Sequence, residues 1–507
     1  MNEDRPLLSH APDAHRRPYH RTGKEKRKAG AGFLRLRLVL LVVLFLLPIV
    51  ECERRPDAEK IASQSTSIFN PTHLNHLIEP VVRGDSTLAI VHIYAEAPNY
   101  EWVADDDEGA AALDDAARAA VVYLRRFELT GDDSARVRAE QLLRFVLYMQ
   151  REDGLFYNFV WNDRLDINTE HANSRADTFG WWAARGVWAL GMSARVLKNA
   201  HPAFARICAD RVRRTFPFLD GMLAHYGQYT HARDRTIPAW LVGGASADAT
   251  SEMLLGLVAL NRAFPDNALQ TRIDRFAEGI AMMQYGSMNA FPWAAHASYA
   301  DGWHGWGNSQ TMALAEAGHL ESAKREAEQF YPRLLVGGWM HSFQFDDPDS
   351  VRRYEQIAYA VRGVSVGFIR LFEATGDVRY ATLAGLAASW FTGDNVTGAA
   401  LYDPATGRGY DGINGPDDIN KNAGAESTIE ALFTILEVEN HPEAARWMSA
   451  RGAEPVHVEK EGKKYYYRVF SVRDVARVHR LGLVMDLTDE RLLVLEDSTL
   501  DSFLSDV

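Results

Sequence analysis

Between about Gly109 and Trp447 the hydrophobic and polar positions repeat one theme. A helix opens with small or aromatic residues and stays apolar nearly all round, a turn follows, and a second helix is charged along one side. The unit recurs every 50 to 70 residues or so. "GAAALDDAARAAVVYLRRFELTG" pairs with "SARVRAEQLLRFVLYMQ", and "ADTFGWWAARGVWALGMSARVL" with "HPAFARICADRVRRTFPFLDGML". "ASADATSEMLLGLVALNRAF" precedes "ALQTRIDRFAEGIAMMQYG", and "GWGNSQTMALAEAG" precedes "ESAKREAEQFYPRLL". "YEQIAYAVRGVSVGFIRLFEATG" with "VRYATLAGLAASWF", then "NAGAESTIEALFTILE" with "PEAARWMSARG", complete the series. Apolar first helices and amphipathic second helices are what two concentric rings require, so the pattern predicts a mainly α protein, an (α/α)6 toroid spanning residues 95–451.

Outside that span the pattern changes. Residues 452–507 alternate apolar and polar positions and predict short strands in a small C-terminal α/β accessory unit. Residues 51–94 carry no strong period and are expected to form a linker and docking segment. Residues 1–32 are a basic tail, and the apolar run Leu38 to Val50, extended by Phe33, Leu34 and Leu36, predicts a signal anchor over 33–50. Glu51 and Cys52 provide neither an A-x-A cleavage site nor a lipobox. The basic side predicts a cytoplasmic N-terminus, a single pass and an extracytoplasmic toroid.

The formal net charge of -13 rests on the body of the chain, because Lys and Arg outnumber Asp and Glu about two to one before Pro56. An acidic body argues against nucleic acid as a partner and disfavours polyanions. Two cysteines, Cys52 and Cys208, leave no disulfide framework and no thiolate metal site. His171, His296 and His304 are too scattered to specify a metal, no phosphate loop or dinucleotide fingerprint occurs, and "DGINGPDD" at Asp411 reads as a turn. No metal and no cofactor is therefore expected.

The chemistry concentrates at the starts of the first helices. Glu426 stands on the stripe of Ile429, Phe433 and Leu436, at its helix's first turn. Asp177 falls on helical spacing with Trp181, Ala184, Trp188 and Gly191, and Asp248 with Ser251, Leu255 and Val258. Asp105 to Glu108 form a further acidic run. In a closed ring these starts converge, and paired carboxyls are the usual machinery for cleaving a glycosidic bond. Asp177 and Glu426 are the expected catalytic pair, with Asp248 competing. Tyr157, Asn158, Trp161, His171, Trp181, Trp182, Trp240, Trp303, His304 and Trp306 lie in loops or at helix starts and are the expected sugar-binding positions.

The six pairs, with "LFYNFV", "ADTFGWWAARGVWALG" and "GAESTIEALFTILE", resemble the six-hairpin glycosidase superfamily, particularly its bacterial carbohydrate-processing members. The resemblance spans roughly Tyr100 to Arg451. It implies a funnel at the N-terminal ends of the inner helices, with acids such as Asp177 and Glu426 acting there. Ala176 and Gly180-Trp181-Trp182 depart from the Glu-Asp and Gly-Arg-Ala found in many relatives. The expectation is a membrane-anchored, extracytoplasmic glycoside hydrolase acting on an oligo- or polysaccharide. Two alternatives stay open: a polysaccharide lyase or sugar epimerase using Tyr157, His171 and Arg175, and a non-catalytic glycan-binding or envelope assembly protein.

Overall fold

The computed structural model describes residues 67–474 and 477–506. The signal anchor expected over 33–50 lies outside these residues; among those described, no helix is long and apolar enough to cross a membrane.

Twelve helices form the two rings. The inner ones are α1 (Leu113–Thr130), α3 (Trp181–Val196), α5 (Ala247–Ala263), α7 (Gln310–Ala317), α9 (Ala358–Thr375) and α11 (Ala425–Glu439). Each is followed by an outer partner: α2 (Asp133–Met149), α4 (Pro202–Arg213), α6 (Asn267–Met282), α8 (Leu320–Gln329), α10 (Val378–Thr392) and the short α12 (Pro442–Ala445). Each inner helix packs on the next, and α11 returns to α1, closing the ring. Small residues set its tightness. Where α3 crosses α5, Gly191 and Gly256 bring the backbones together: a Cβ on Gly191 would lie 2.1 Å from the Gly256 carbonyl oxygen, and one on Gly256 would lie 2.3 Å from that of Val187.

The outer helices α2, α6 and α10 begin under side-chain caps from Asp132, Asp266 and Asp377. No inner helix is capped by the side chain of its own N-cap residue. Some of the inner helices' first N–H groups are taken instead by neighbouring segments, Leu113 and Asp114 by Asn158 and Ala425 by the Ile93 carbonyl, and the aligned helix dipoles give the ring's N-terminal end a positive bias.

Residues 67–94 fold more definitely than a linker. The helix Thr72–Leu77 leads into the hairpin Ile78–Arg83 and Ser86–Val91, which buries Leu74, Leu77 and Leu88 to Val91. At the other end, strands from Arg451 to Glu496 form a five-stranded antiparallel sheet, followed by a helix, Asp497–Asp506. Arg468 fastens this unit to the toroid through Asp394, at 3.0 Å, and the Leu335 carbonyl, at 3.2 Å.

Candidate active site

A continuous chain of buried charges crosses the ring one turn below its mouth. Arg118 of α1 donates to Asp115 at 2.7 Å and to Glu430 of α11 at 2.8 Å. Glu430 accepts from Arg362 of α9 at 2.6 Å, and Arg362 also donates to Glu252 of α5 at 3.2 Å. Arg185 of α3 joins through Asp114 at 2.5 Å. Ser309, at the start of α7, donates to Glu252 at 2.6 Å and accepts from Arg362 at 2.8 Å. All six inner helices are thus tied at one level. The guanidiniums of Arg118 and Arg185 also lie against the Tyr359 ring, at 4.7 and 5.2 Å from its centroid. Burial works against ionisation of Glu430, but Arg362 and Arg118 outweigh it and hold its carboxyl below the usual range.

Two carboxyls stand one turn above this floor, Glu426 over Glu430 and Asp248 over Glu252. Since α5 and α11 are the third and sixth inner helices of the ring, the two face each other across the mouth. Their environments differ. Glu426 keeps contact with water while protein surrounds it, as expected of a group on the wall of an open funnel. That surrounding mass desolvates the carboxylate and, with Asp115 and Asp114 nearby, pushes its pKa up to about 8 against the opposing pull of Arg118 and Arg185.

Asp248 is covered. It accepts from the Ser246 hydroxyl and from the Ala249 N–H at 2.7 Å, and its other oxygen lies 3.2 Å from His304 Nε2. His304 is the member of this pair that reaches the mouth, with 16% of its side chain exposed against 2% for Asp248. Its ring stacks on Trp306 at 4.1 Å, and the indole lies 4.9 Å from His341. His341 is anchored through Nδ1 to the Glu355 carbonyl at 2.8 Å. Burial holds its pKa below the ordinary histidine value.

The remaining expected positions divide. Asp177 is exposed in the loop before α3, which begins only at Trp181 after the extended Gly180. It therefore does not share a helical stripe with Trp181 and Trp188. Asp248, rather than Asp177, occupies the helix facing Glu426. Trp181 and Trp182 are half-buried at the start of α3, with Arg185 4.7 Å from the Trp181 ring. His171 is half-buried, its Nδ1 accepting from Asn173 N–H at 3.1 Å and its ring edge-on to Phe159. Tyr157 and Trp161 are half-buried in the same lead-in. Asn158 is buried and starts α1, accepting from the Leu113 and Asp114 N–H groups.

Trp240 and Trp303 are corrections to the expected sugar platforms, being fully buried. Trp240 donates to the Arg275 carbonyl at 2.8 Å, and Trp303 stacks on Phe343. Their loops fold down onto the outer layer, where an indole completes the core. In the acidic run, Asp105 closes a turn on the N–H groups of Asp107 and Glu108, while Glu108 is buried under the Tyr94 hydroxyl at 2.7 Å. Asp411 accepts from Ser427 at 2.7 Å and Gly424 at 3.2 Å, ahead of the hairpin Gly412–Gly415 and Asp418–Asn420. Among the described residues, no group of three or more His, Cys, Asp or Glu could hold a metal ion.

Sequence reasoning missed Arg118, Arg185, Glu252, Tyr359, Arg362, Glu430 and His341. A signal for the arginines existed, as each interrupts the apolar face of an otherwise small-residue helix. The opposite end of the ring has a cavity of about 220 Å³ lined by Arg125, Arg195, Arg262, Arg370, Glu316 and Glu373. Every arginine there is ion-paired, which makes it a structural clamp.

A ring of six helical hairpins with polar groups gathered at the inner N-termini defines the class: the chain has the (α/α)6 six-hairpin, glycosidase-like fold. Among solved structures, it is similar to cellobiose 2-epimerase from Bacillus thermoamylovorans B4167, with a TM-score of 0.52 and 12% identity over 72% of this chain and 95% of that one. A sugar epimerase from a ruminal bacterium gives 0.50 and 12% over 74% and 96%. The family 9 endoglucanase J30 gives 0.41 and 16% over 69% and 77%. No family model and no curated protein matches the chain.

Proposed function

We propose that this protein is a carbohydrate-active enzyme that performs acid–base proton transfer on a saccharide held in the funnel, in the manner of an epimerase or isomerase. The observation that carries the reading is the asymmetry of the facing pair. Glu426 stands open to the mouth, its carboxyl pushed toward the protonated form by the surrounding protein, whereas the covered Asp248 presents an imidazole, His304 at 3.2 Å, instead of itself. A histidine oriented by a carboxylate is suited to taking a proton from a carbon beside a sugar carbonyl, and a neutral carboxyl can protonate the developing oxyanion. Return of that proton from the imidazolium to the adjacent carbon of the enediol, with the hydroxyl proton of the first oxygen passing back to Glu426, would move the carbonyl by one carbon, as an isomerase does; inversion of the original centre requires a second acid on the opposite face. The epimerase names of the two structures with TM-scores of 0.52 and 0.50 support this order of preference.

Glycoside hydrolysis is the second reading, favoured by the elevated pKa of Glu426, which suits a general acid at a leaving oxygen. Asp248 with His304 would then activate water. In either case we propose that the N-terminal segment anchors the chain in a membrane, with the toroid outside the cytoplasm.

Incubating reducing oligosaccharides with the protein in D2O, while recording NMR spectra and reducing ends, separates the readings. Deuterium at the carbon beside the carbonyl, lost in His304→Asn and in Glu426→Gln, is the expected outcome. New reducing ends without exchange would establish hydrolysis instead. Glycan binding with neither signal would refute both chemistries in favour of a binding protein.

A further inference from the structure

The segments leading into the six inner helices wall the mouth, and their hydrogen bonds join them in series. The lead-in to α1 pairs with that to α3 through Ala111 with Val160 and Ala112 with Phe159. The lead-in to α5 joins that to α7 where Ala300 N–H donates to the Ala245 carbonyl at 3.1 Å. The strand Gly302–His304 pairs with Ser342–Gln344 ahead of α9, and Gln356–Ile357 pairs with Gly412–Gly415 ahead of α11. Ala423 and Ala425 then donate to the carbonyls of Ala95 and Ile93, returning to the first segment.

One junction differs. Among the described residues, no backbone ladder or hydrogen bond joins the lead-in to α3, residues 151–180, to the lead-in to α5, residues 229–246. Both flanks are bare at this seam: a Cβ added to Gly180, Gly243 or Gly244 would meet nothing within 4 Å. The lead-in to α5 begins with a hairpin, Tyr229–Ala232 and Arg235–Pro238. Its far strand is braced away from the seam, Arg235 donating to the Phe345 carbonyl at 2.6 Å. Its base carries Tyr229, 46% exposed, beside Tyr226, 38% exposed. Both rings are fixed edge-on against the buried Trp240, at 5.6 and 5.0 Å. Two rigid, exposed aromatic rings backed by a buried indole are a preformed surface for the apolar face of a sugar ring, with little conformational entropy left to lose.

We propose that the α3–α5 seam is the exit path for an extended saccharide. The reacting unit occupies the funnel, the following units pass between Gly180 and Gly243, and a distal unit rests on Tyr229 and Tyr226. The substrate class is therefore an oligosaccharide chain processed at its end. This rests on the carbohydrate reading above and adds the direction and length of the ligand.

The test compares a disaccharide with a pentasaccharide of the same sugar, by turnover and by calorimetric binding, in wild type, Tyr229→Ala and Gly180→Phe. In wild type the pentasaccharide should show the lower KM. Loss of one stacked ring should raise its KM about tenfold in Tyr229→Ala, with the disaccharide unchanged. Gly180→Phe, which plugs the seam, should do the same. Equal KM for both lengths in wild type, or equal losses for both in the variants, overturns the seam while leaving the carbohydrate reading intact. Failure of both lengths to turn over or bind overturns that reading and the seam together. Tyr229 is on the surface, so its variant stays informative if Gly180→Phe misfolds.

Discussion

Replacing Arg362 with methionine tests whether the charge chain under the mouth holds the ring together. Arg362 is 1% exposed and meets Glu430 at 2.6 Å, Glu252 at 3.2 Å and Ser309 at 2.8 Å. The consequences for its two carboxylates are unequal. Glu430 keeps Arg118 at 2.8 Å, whereas Glu252 keeps only the Ser309 hydroxyl, and its second oxygen already lacks a partner. An uncompensated carboxylate in a buried site costs about 3–5 kcal/mol when its cation is removed. Glu252→Gln preserves an acceptor for Ser309 and should cost about 1–3 kcal/mol. In the double variant the stranded charge is gone, so its loss should fall short of the summed single losses by about 1.5–3 kcal/mol. Urea unfolding of the four proteins at pH 7, followed by tryptophan fluorescence, reads this coupling from the midpoints at constant slope. Agreement of the double variant with the sum, to within about 0.5 kcal/mol, would show that Arg362 and Glu252 act independently and refute the chain as a cooperative unit.

Two further expectations concern the frame. Gly191→Ala places a methyl 2.1 Å from the Gly256 carbonyl oxygen, backbone that cannot rotate aside, so α3 and α5 must separate; the variant should lose about 3 kcal/mol or more in the same unfolding assay, and a loss under about 1 kcal/mol would contradict the close crossing. At the opposite end of the ring, burial resists ionisation of Glu437 but Arg125 and Arg370 overcome it, lowering its pKa to about 2. Its folded value lies below the unfolded one, so its contribution is complete above about pH 4.5 and is lost as pH falls toward 2. The stability gap between wild type and Glu437→Gln should accordingly narrow across that window, and a gap independent of pH would count against the pairing.

The fold was readable because the first helix of each pair is made of residues that can be buried on every side. "AARAAVVYL" in α1 and "AARGVWALG" in α3 have no solvated face, so they can only be an inner layer. The site was readable in part for the same reason. Glu426 interrupts such a helix at its first turn, and an acid there must face the mouth or be paired.

The misreading of Asp177 has a definite origin. Helical spacing is a property of residues already in a helix, and Gly180, extended at φ -129° and ψ -152°, delays the start of α3 until Trp181. Counting back four residues from Trp181 therefore crossed a boundary that spacing does not reveal. The arginines of the floor are a different case. Arg118 sits four residues after Asp114, Arg185 four after Trp181, and Arg362 three after Tyr359, all on inward faces. A buried cation is tolerated only with partners, yet each of these arginines depends on a carboxylate from another hairpin: Glu430 for Arg118, Asp114 for Arg185, and Glu252 and Glu430 for Arg362. Such pairing exists only once the ring has closed. It also bears on the chemistry, since the network below Glu426 and Asp248 is satisfied by its own members except at single atoms such as Glu252 Oε2. The floor can then serve as a fixed support for the two groups above it, Glu426 open to water and Asp248 covered and bonded to His304.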